Sequence, residues 1–394
     1  MSQAKVPDPQ PPRRTRLGGH RIGLLIALLL ALPGAQAGPV PSPPEISGEA
    51  AFLMDFHSGR VLANQNADKP WPPASLAKMM TLYTAFKAIE DGSVAMDDTV
   101  RVSEKAWRTK GSRMFLEVGD EVPVKRIIKG IIVESGNDAC VALAEHVAGT
   151  EKAFVQLMNA HAKELGLKHT HFANATGLPA EGMQTTARDM AHLAAALIRD
   201  FPQHYSMFSL RKMTYNDITQ YNRNKLIWWD ESVDGLKTGH TQRAGYALVS
   251  SAEREGMRLL AVVMGTDSER ARAEESQSLL NYGFRFFRTY KLYEAGESLH
   301  EVRVFKGNRD KVKVALPRDL YVTIPRGQRD ELEVTLDFKE PLIAPVSASA
   351  QVGTLTAKLN GDELAVRPLT TTKPVPEGGL FRRIIDSIRV WLTE

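Results

Sequence analysis

The sequence lacks the features that usually mark a small exported protein, a metalloprotein or a nucleic-acid-binding protein. Its 394 residues contain a single cysteine, Cys140, which excludes an internal disulfide. The ten histidines are scattered, with no cluster of His, Cys, Asp and Glu at metal-ligand spacing, so we predict no metal and no other cofactor. The net charge of +4 is small for this length and does not indicate nucleic-acid binding.

An apolar run near the N-terminus, Ile22–Leu32, is too short to span a bilayer. It follows a positive segment that contains Arg13, Arg14, Arg16 and Arg21, and it precedes the small residues of Ala35-Gln36-Ala37. This order is typical of a secretory signal peptide, which we predict over residues 1–37, with an uncleaved anchor as the alternative. We therefore expect an exported protein, located in a periplasm or at a cell surface.

The length and the changes in composition predict two domains. A proline-rich linker, 38–45, precedes a first domain at 46–295 with strand-like segments at both ends and helical segments between them. That order predicts an α+β fold whose sheet takes strands from both ends of the domain. Alternating apolar and polar residues over 296–370 then predict a small all-β domain.

The last residues combine an apolar stripe at helical spacing with arginines at other positions. We predict a flexible tether over 371–379 and an amphipathic helix over 380–394 that lies on a membrane surface. The apolar residues are Leu380, Phe381, Ile384, Ile385, Ile388, Trp391 and Leu392. A terminal helix packed on the β-domain is the alternative.

One serine–lysine pair stands at the start of a predicted helix. The pattern Ser-x-x-Lys occurs three times, but only Ser75–Lys78 precedes a buried helical run, Met79–Phe86, that has no charged residue. Burial and the positive end of the helix dipole both favour a neutral amine at Lys78. A neutral lysine one turn from a serine can accept its proton and make it a nucleophile. The alternative is that Ser75 caps the helix and Lys78 reaches solvent.

Two further motifs follow in the chain. Ser135-Gly136-Asn137 lies just before a predicted helix, and Lys237-Thr238-Gly239 lies just before a predicted strand. Alone, each is most simply a turn, a helix cap or a polar strand end. In this order, Ser-x-x-Lys, Ser-x-Asn and Lys-Thr-Gly form the signature of serine β-lactamases and penicillin-binding proteins.

Most of the chain from Ala51 to Trp391 resembles the low-molecular-mass penicillin-binding proteins that are D-alanyl-D-alanine carboxypeptidases. The similar segments include GSRMFLEVGD, SGNDAC, TTARDMA, YNRNKL and VDGLKTGHT. The resemblance implies a penicillin-binding domain with an antiparallel sheet, helices on both sides and a helical subdomain. It also implies that the enzyme removes the terminal D-alanine from peptidoglycan pentapeptide stems, and that β-lactams acylate it. A protein partner for the β-domain remains open.

The same resemblance implies a role for each matching residue. Ser75 would be the acylated nucleophile, Lys78 its base, and Ser135 a proton relay to the leaving nitrogen. Substrate would be bound by Asn137, Lys237, Thr238, Gly239, His240 and Arg272, with the amides of Ser75 and His240 forming the oxyanion hole. Arg270 is an alternative to Arg272. We expect Arg188 to form a structural ion pair and Cys140 to be a buried apolar residue.

Two other functions are compatible with the motifs. A class A β-lactam hydrolase uses a glutamate for deacylation, but no glutamate between Asn137 and Lys237 has the Leu-Asn context of that enzyme. A wall-binding scaffold with little turnover would belong to a different class of protein. Release of D-alanine from a stem peptide distinguishes the carboxypeptidase from both.

Overall fold

The computed structural model describes residues 40–392, so the predicted signal peptide lies outside the described residues. The chain forms two compact units, which divide between Phe286 and Phe287. The sequence placed this boundary later, at residue 295. The difference arises because a strand, Phe287–Tyr293, follows a helix directly, with no glycine or proline to mark the junction.

The first unit is built around a five-stranded sheet in the order β2-β1-β9-β8-β7, with every neighbouring pair antiparallel. Its strands therefore come from both ends of the domain, as the sequence predicts. The strands of the unit are β1 (Ala50–Asp55), β2 (Val61–Gln65), β3 (Thr99–Arg101), β4 (Glu121–Pro123), β5 (Lys212–Tyr215), β6 (Ile218–Tyr221), β7 (Val233–Thr241), β8 (Gly245–Arg254) and β9 (Met257–Thr266).

Helices cover both faces of this sheet. They are α1 (Lys78–Glu90), α2 (Glu104–Arg108), α3 (Val124–Val133), α4 (Asn137–Ala148), α5 (Glu151–Glu164), α6 (Ala187–Asp200), α7 (Pro202–Tyr205), α8 (Leu226–Trp229) and α9 (Glu269–Phe286). On one face, Phe52 and Val262 join a large core with the residues of α1 and α6. On the other, Leu53 and Leu259 lie against Gly283 of α9. The central strands are consequently buried on both sides, which explains their nearly continuous apolar sequence.

The second unit is mostly β-structure, as predicted. Six of its strands form a sheet in the order β14-β16-β17-β12-β11-β15, and β10 pairs with β13. The strands are β10 (Phe287–Tyr293), β11 (His300–Phe305), β12 (Lys311–Ala315), β13 (Leu320–Pro325), β14 (Leu332–Phe338), β15 (Leu342–Ile343), β16 (Gln351–Leu359) and β17 (Asp362–Thr371).

The predicted tether is held on this β-structure rather than free. Val375 is fully buried and exchanges two backbone hydrogen bonds with Val346, at 2.8 and 2.9 Å. Further along, the amide of Gly378 donates to the carbonyl of Lys306 over 2.8 Å. The prolines and glycines of 371–379 led to the prediction of a flexible segment, but Val375 and Gly378 form backbone hydrogen bonds with Val346 and Lys306, which lie outside the strands.

A final helix, α10, spans Leu380–Trp391 and packs through its polar side. The Asp386 carboxylate is buried and accepts a hydrogen bond of 2.8 Å from the amide of Lys306. The apolar stripe points away from this contact, so that Phe381 is 84% exposed and Trp391 is 75% exposed. No helix among residues 40–392 is long and apolar enough to cross a membrane.

Candidate active site

Ser75 and Lys78 meet at the start of the first long helix. Ser75 lies in a 3-10 turn, Ala74–Ala77, that leads directly into α1, and Lys78 is the first residue of α1. The Lys78 Nζ lies 2.9 Å from the Ser75 Oγ. The spacing of three residues therefore places the amine within hydrogen-bonding distance of the hydroxyl, as the sequence predicts.

The environment of Lys78 favours its neutral form. Its side chain is completely buried, and its other hydrogen-bond partner is the carbonyl of Thr176, at 2.6 Å. Burial lowers the pKa of Lys78 from its ordinary value to about 8, and the charge of Arg223 acts in the same direction. The predicted alternative, in which Lys78 reaches solvent, is wrong.

The Ser-Gly-Asn segment is a sharp turn between α3 and α4. Ser135 adopts a left-handed backbone conformation with φ +64°, and Asn137 begins α4. The Ser135 Oγ and the Asn137 Oδ1 are both buried and have no hydrogen-bond partner among residues 40–392. Because a buried polar atom without a partner costs free energy, these two atoms are suited to bind a polar ligand.

Asp138 holds this turn against the chain that precedes α3. Its buried carboxylate accepts hydrogen bonds from the amides of Met114 and Leu116, at 2.8 and 3.1 Å. The Asn137 Nδ2 donates to the carbonyl of Lys110 over 2.6 Å. The direction of the Asn137 side chain is therefore fixed, with its oxygen left for a ligand.

The third motif lies on β7, at the edge of the sheet. Gly239 allows this strand to approach the turn that carries Ser75, because a Cβ at this position would lie 3.2 Å from the Leu76 Cγ and 3.3 Å from the Pro73 carbonyl. Lys237, two residues earlier, is buried. Burial, together with the charge of Lys78, holds the pKa of Lys237 well below its usual range.

The structure distinguishes between the two arginines near the start of α9. Arg272 is buried; it donates to the Gly239 carbonyl over 3.2 Å and lies over the Tyr246 ring. Arg270 is exposed and pairs with Glu274 at 2.7 Å. Arg272 is consequently the arginine that reaches the site.

One cleft of about 390 Å³ brings the predicted residues together. Ser75, Ser135, Asn137, Thr238, Gly239, His240 and Arg272 line it, whereas Lys78 and Lys237 lie beneath its surface. Arg223 also lines the cleft and pairs with Glu134. With the guanidinium groups of Arg223 and Arg272 in its lining, the cleft is electrostatically suited to an anionic group such as a carboxylate.

Two residues outside the motifs have structural roles, as expected. Arg188 forms a bidentate ion pair with Asp68, at 2.7 and 2.8 Å. Cys140 is fully buried, and burial raises the pKa of its thiol to about 12, so it is an apolar residue and not a reactive thiol.

Comparisons with known proteins agree with this geometry. Residues 38–268 match the D-alanyl-D-alanine carboxypeptidase family of peptidases, and residues 287–377 match the C-terminal domain of penicillin-binding protein 5. The chain is 44% identical over 360 residues to the carboxypeptidase DacA of Escherichia coli K12, which is 89% of each chain. It is 42% identical over 380 residues to DacC of the same strain, covering 94% of this chain and 95% of DacC. The chain belongs to the D-alanyl-D-alanine carboxypeptidase family.

A solved structure supports the same assignment across both units. Penicillin-binding protein 5 of Haemophilus influenzae is 40% identical and gives a TM-score of 0.83, covering 86% of this chain and all of that one. The enzyme is thus a serine-type D-alanyl-D-alanine carboxypeptidase of peptidoglycan metabolism, with the predicted α+β and all-β units. This assignment is favoured over a β-lactam hydrolase and over a scaffold without turnover.

Some residues of the carboxypeptidase site have no sequence motif that would identify them. Thr176 contributes only a backbone carbonyl to Lys78, and Arg223 lies in YNRNKL, where no spacing distinguishes it from a surface arginine. Gly177 has φ +83° and lies against the Ser75 turn, where a Cβ would be 1.8 Å from the Ala74 carbonyl oxygen. The Asn174 Oδ1 accepts hydrogen bonds from the amides of Thr176 and Gly177 and fixes this segment beside the Ser75 turn. These contacts are visible only in the structure.

Gly177→Ala should therefore lower kcat/KM for D-alanine release by at least about 100-fold, because the new methyl group displaces the turn that carries Ser75. The matched control is Gly166→Ala. Gly166 has a similar φ of +71°, but no atom lies within 4 Å of its Cβ position. Equal activity of the two variants would mean that the contact with Ala74 does not position Ser75.

Proposed function

We propose that Ser75 carries the acyl group in this enzyme and that Lys78 is its general base. The supporting observation is the buried Lys78 amine, 2.9 Å from the Ser75 Oγ. The neutral amine accepts the hydroxyl proton while the Oγ forms a bond to the carbonyl carbon of the penultimate D-alanine. The backbone amides of Ser75 and His240 donate to the resulting oxyanion.

Ser135 delivers a proton to the leaving nitrogen in this proposal. Breakage of the peptide bond releases D-alanine and leaves the shortened stem as an ester on Ser75. The Ser135 Oγ is buried and lines the cleft, where it can pass on a proton to the leaving nitrogen. Water then hydrolyses the ester and restores the Ser75 hydroxyl.

The remaining cleft residues bind the two ends of the scissile peptide. Lys237, Thr238 and Arg272 bind the terminal carboxylate, which the positive potential of the cleft attracts. Asn137 uses its unpartnered Oδ1 to accept a hydrogen bond from the peptide on the acyl side. A β-lactam presents a carboxylate and a reactive carbonyl in similar positions, so we expect it to acylate Ser75 and to leave slowly.

A fluorescent penicillin tests this assignment. Wild-type protein should become covalently labelled, whereas Ser75→Ala should show no labelling and no D-alanine release, since it has no nucleophile. Ser209→Ala is a suitable control and should be labelled like wild-type protein, because Ser209 also begins a Ser-x-x-Lys pattern but is exposed and lies outside the cleft. Persistent labelling of Ser75→Ala would overturn the assignment of the nucleophile.

We also propose that α10 anchors the exported enzyme peripherally on the periplasmic surface of the inner membrane. Its buried Asp386 fixes the polar side of the helix on the β-unit, while Ile384, Ile385 and Ile388 are each at least 50% exposed. The pair formed by Arg382 and Asp310 holds the same side. An exposed apolar stripe with arginines at its margins is suited to a bilayer interface that contains anionic lipids.

Ile384→Ser combined with Ile388→Ser should weaken binding to anionic phospholipid vesicles by at least about tenfold, because it removes apolar area from the stripe. The matched control is Ile343→Ser combined with Val366→Ser, which changes two exposed apolar residues of the same unit outside α10. Cosedimentation measures the binding. Unchanged binding of the α10 variant would exclude this helix as the anchor.

A further inference from the structure

A second cavity, of about 420 Å³, opens beside the catalytic cleft. Gly177 and Thr241 line both spaces, so the two are adjacent. The second cavity is lined by Pro72, Pro73, Ala74, Gly177, Pro179, Ala180, Glu181, Met183, Thr241 and Arg243. None of the three sequence motifs contributes a residue to it.

Trp71 forms hydrogen bonds with segments on both sides of this second cavity. Its backbone amide donates to the Thr185 carbonyl over 2.8 Å, behind the wall that contains Glu181. Its indole Nε1 donates to the Ala244 carbonyl, also over 2.8 Å, next to Arg243. Ala244 is itself buried and donates to the Thr241 Oγ1 over 3.1 Å. These hydrogen bonds fix the positions of the two walls relative to each other.

The lining of the cavity combines an apolar surface with two opposite charges. The prolines and Met183 form the apolar part, and the exposed side chains of Glu181 and Arg243 supply the charges. Among residues 40–392, neither Glu181 nor Arg243 forms an ion pair or a side-chain hydrogen bond. Both charges are available to a ligand that carries a cation and an anion.

A substrate that is bound in an extended conformation along β7 runs from the catalytic cleft towards this cavity. The orientation of the substrate rests on the proposed function. The terminal carboxylate lies at Lys237 and Thr238, and the scissile carbonyl lies at the amide of His240. Successive residues of an extended chain advance by about 3.3 Å. The residue before D-Ala-D-Ala is then carried past Thr241, towards Arg243.

We propose that this cavity is a subsite for the side chain of the stem residue that precedes D-Ala-D-Ala. The subsite selects an aliphatic side chain that ends in both an ammonium group and a carboxylate. The apolar lining packs against the methylene groups, Arg243 binds the carboxylate, and Glu181 binds the ammonium group. A diamino dicarboxylic acid has this chemistry, whereas lysine supplies only the cation.

Four peptides of the form X-D-Ala-D-Ala separate these contributions, each assayed by D-alanine release. The residue X is meso-diaminopimelic acid with both charges, lysine with the ammonium alone, 2-aminopimelic acid with the carboxylate alone, or norleucine with neither. Wild-type enzyme should give its highest kcat/KM with the diaminopimelyl peptide. Each charge should contribute about fivefold, the upper range for an exposed ion pair.

Two charge-removing variants make the test specific to the cavity. Arg243→Gln should lose about fivefold on the diaminopimelyl and aminopimelyl peptides only, and Glu181→Gln should lose about fivefold on the diaminopimelyl and lysyl peptides only. Arg101→Gln and Glu121→Gln are the matched controls. They change exposed charges on β3 and β4, outside either cavity, and should alter no peptide.

Equal kcat/KM of wild-type enzyme on all four peptides would overturn the subsite, as would a variant that loses activity equally on all four. The norleucine peptide judges the proposed function separately, because it does not use the two charges. If wild-type enzyme releases D-alanine from it and Ser75→Ala does not, the catalytic assignment holds whatever the fate of the subsite. If Ser75→Ala retains release, both proposals fall.

Discussion

The proposed catalytic site depends on one contact, the buried amine of Lys78 against the hydroxyl of Ser75. An ammonium group in a dry interior is costly, so the protein has two ways to lower the free energy: neutralise the amine or surround it with acceptors. The protein uses both: the Thr176 carbonyl accepts a hydrogen bond from the amine, and burial lowers the pKa of Lys78 to about 8. The same burial that lowers the pKa also fixes the amine in place. The proposed general base is therefore positioned before substrate arrives.

Other parts of the fold serve to bring partners to that contact. The glycine at 239 lets β7 approach the Ser75 turn, and the glycine at 177 lets the chain after α5 close over it. Asp138 fixes the Ser-Gly-Asn turn through backbone amides. These contacts come from three separate regions of the chain. The central sheet, with helices on both faces, brings the three regions together around the Ser75 turn. Small residues and backbone groups therefore determine the geometry as much as the reactive side chains do.

The sequence predicted which side chains meet at the cleft, because the three motifs are recognised by residue type and local spacing. Ser75 and Lys78 are one helical turn apart, so their proximity follows from local geometry. The contribution of Thr176 is a backbone carbonyl, which any residue possesses, and it could not be predicted. The choice between Arg270 and Arg272 also required the structure, since only the structure shows that Arg272 is buried, donates to the Gly239 carbonyl and lies over the Tyr246 ring. Segment 371–379 was wrongly predicted to be flexible, because its pairing partner, Val346, is distant in sequence.

The pH dependence of acylation tests the central role of Lys78 most directly. Only the neutral amine can accept the Ser75 proton, and the pKa of Lys78 is about 8. The rate constant for acylation by a fluorescent penicillin, measured by stopped flow, should therefore be low in acid, rise with pH, and reach half its plateau near that value. A rate that stays constant between about pH 6 and pH 10, or one that rises only near the ordinary pKa of lysine, would contradict the account.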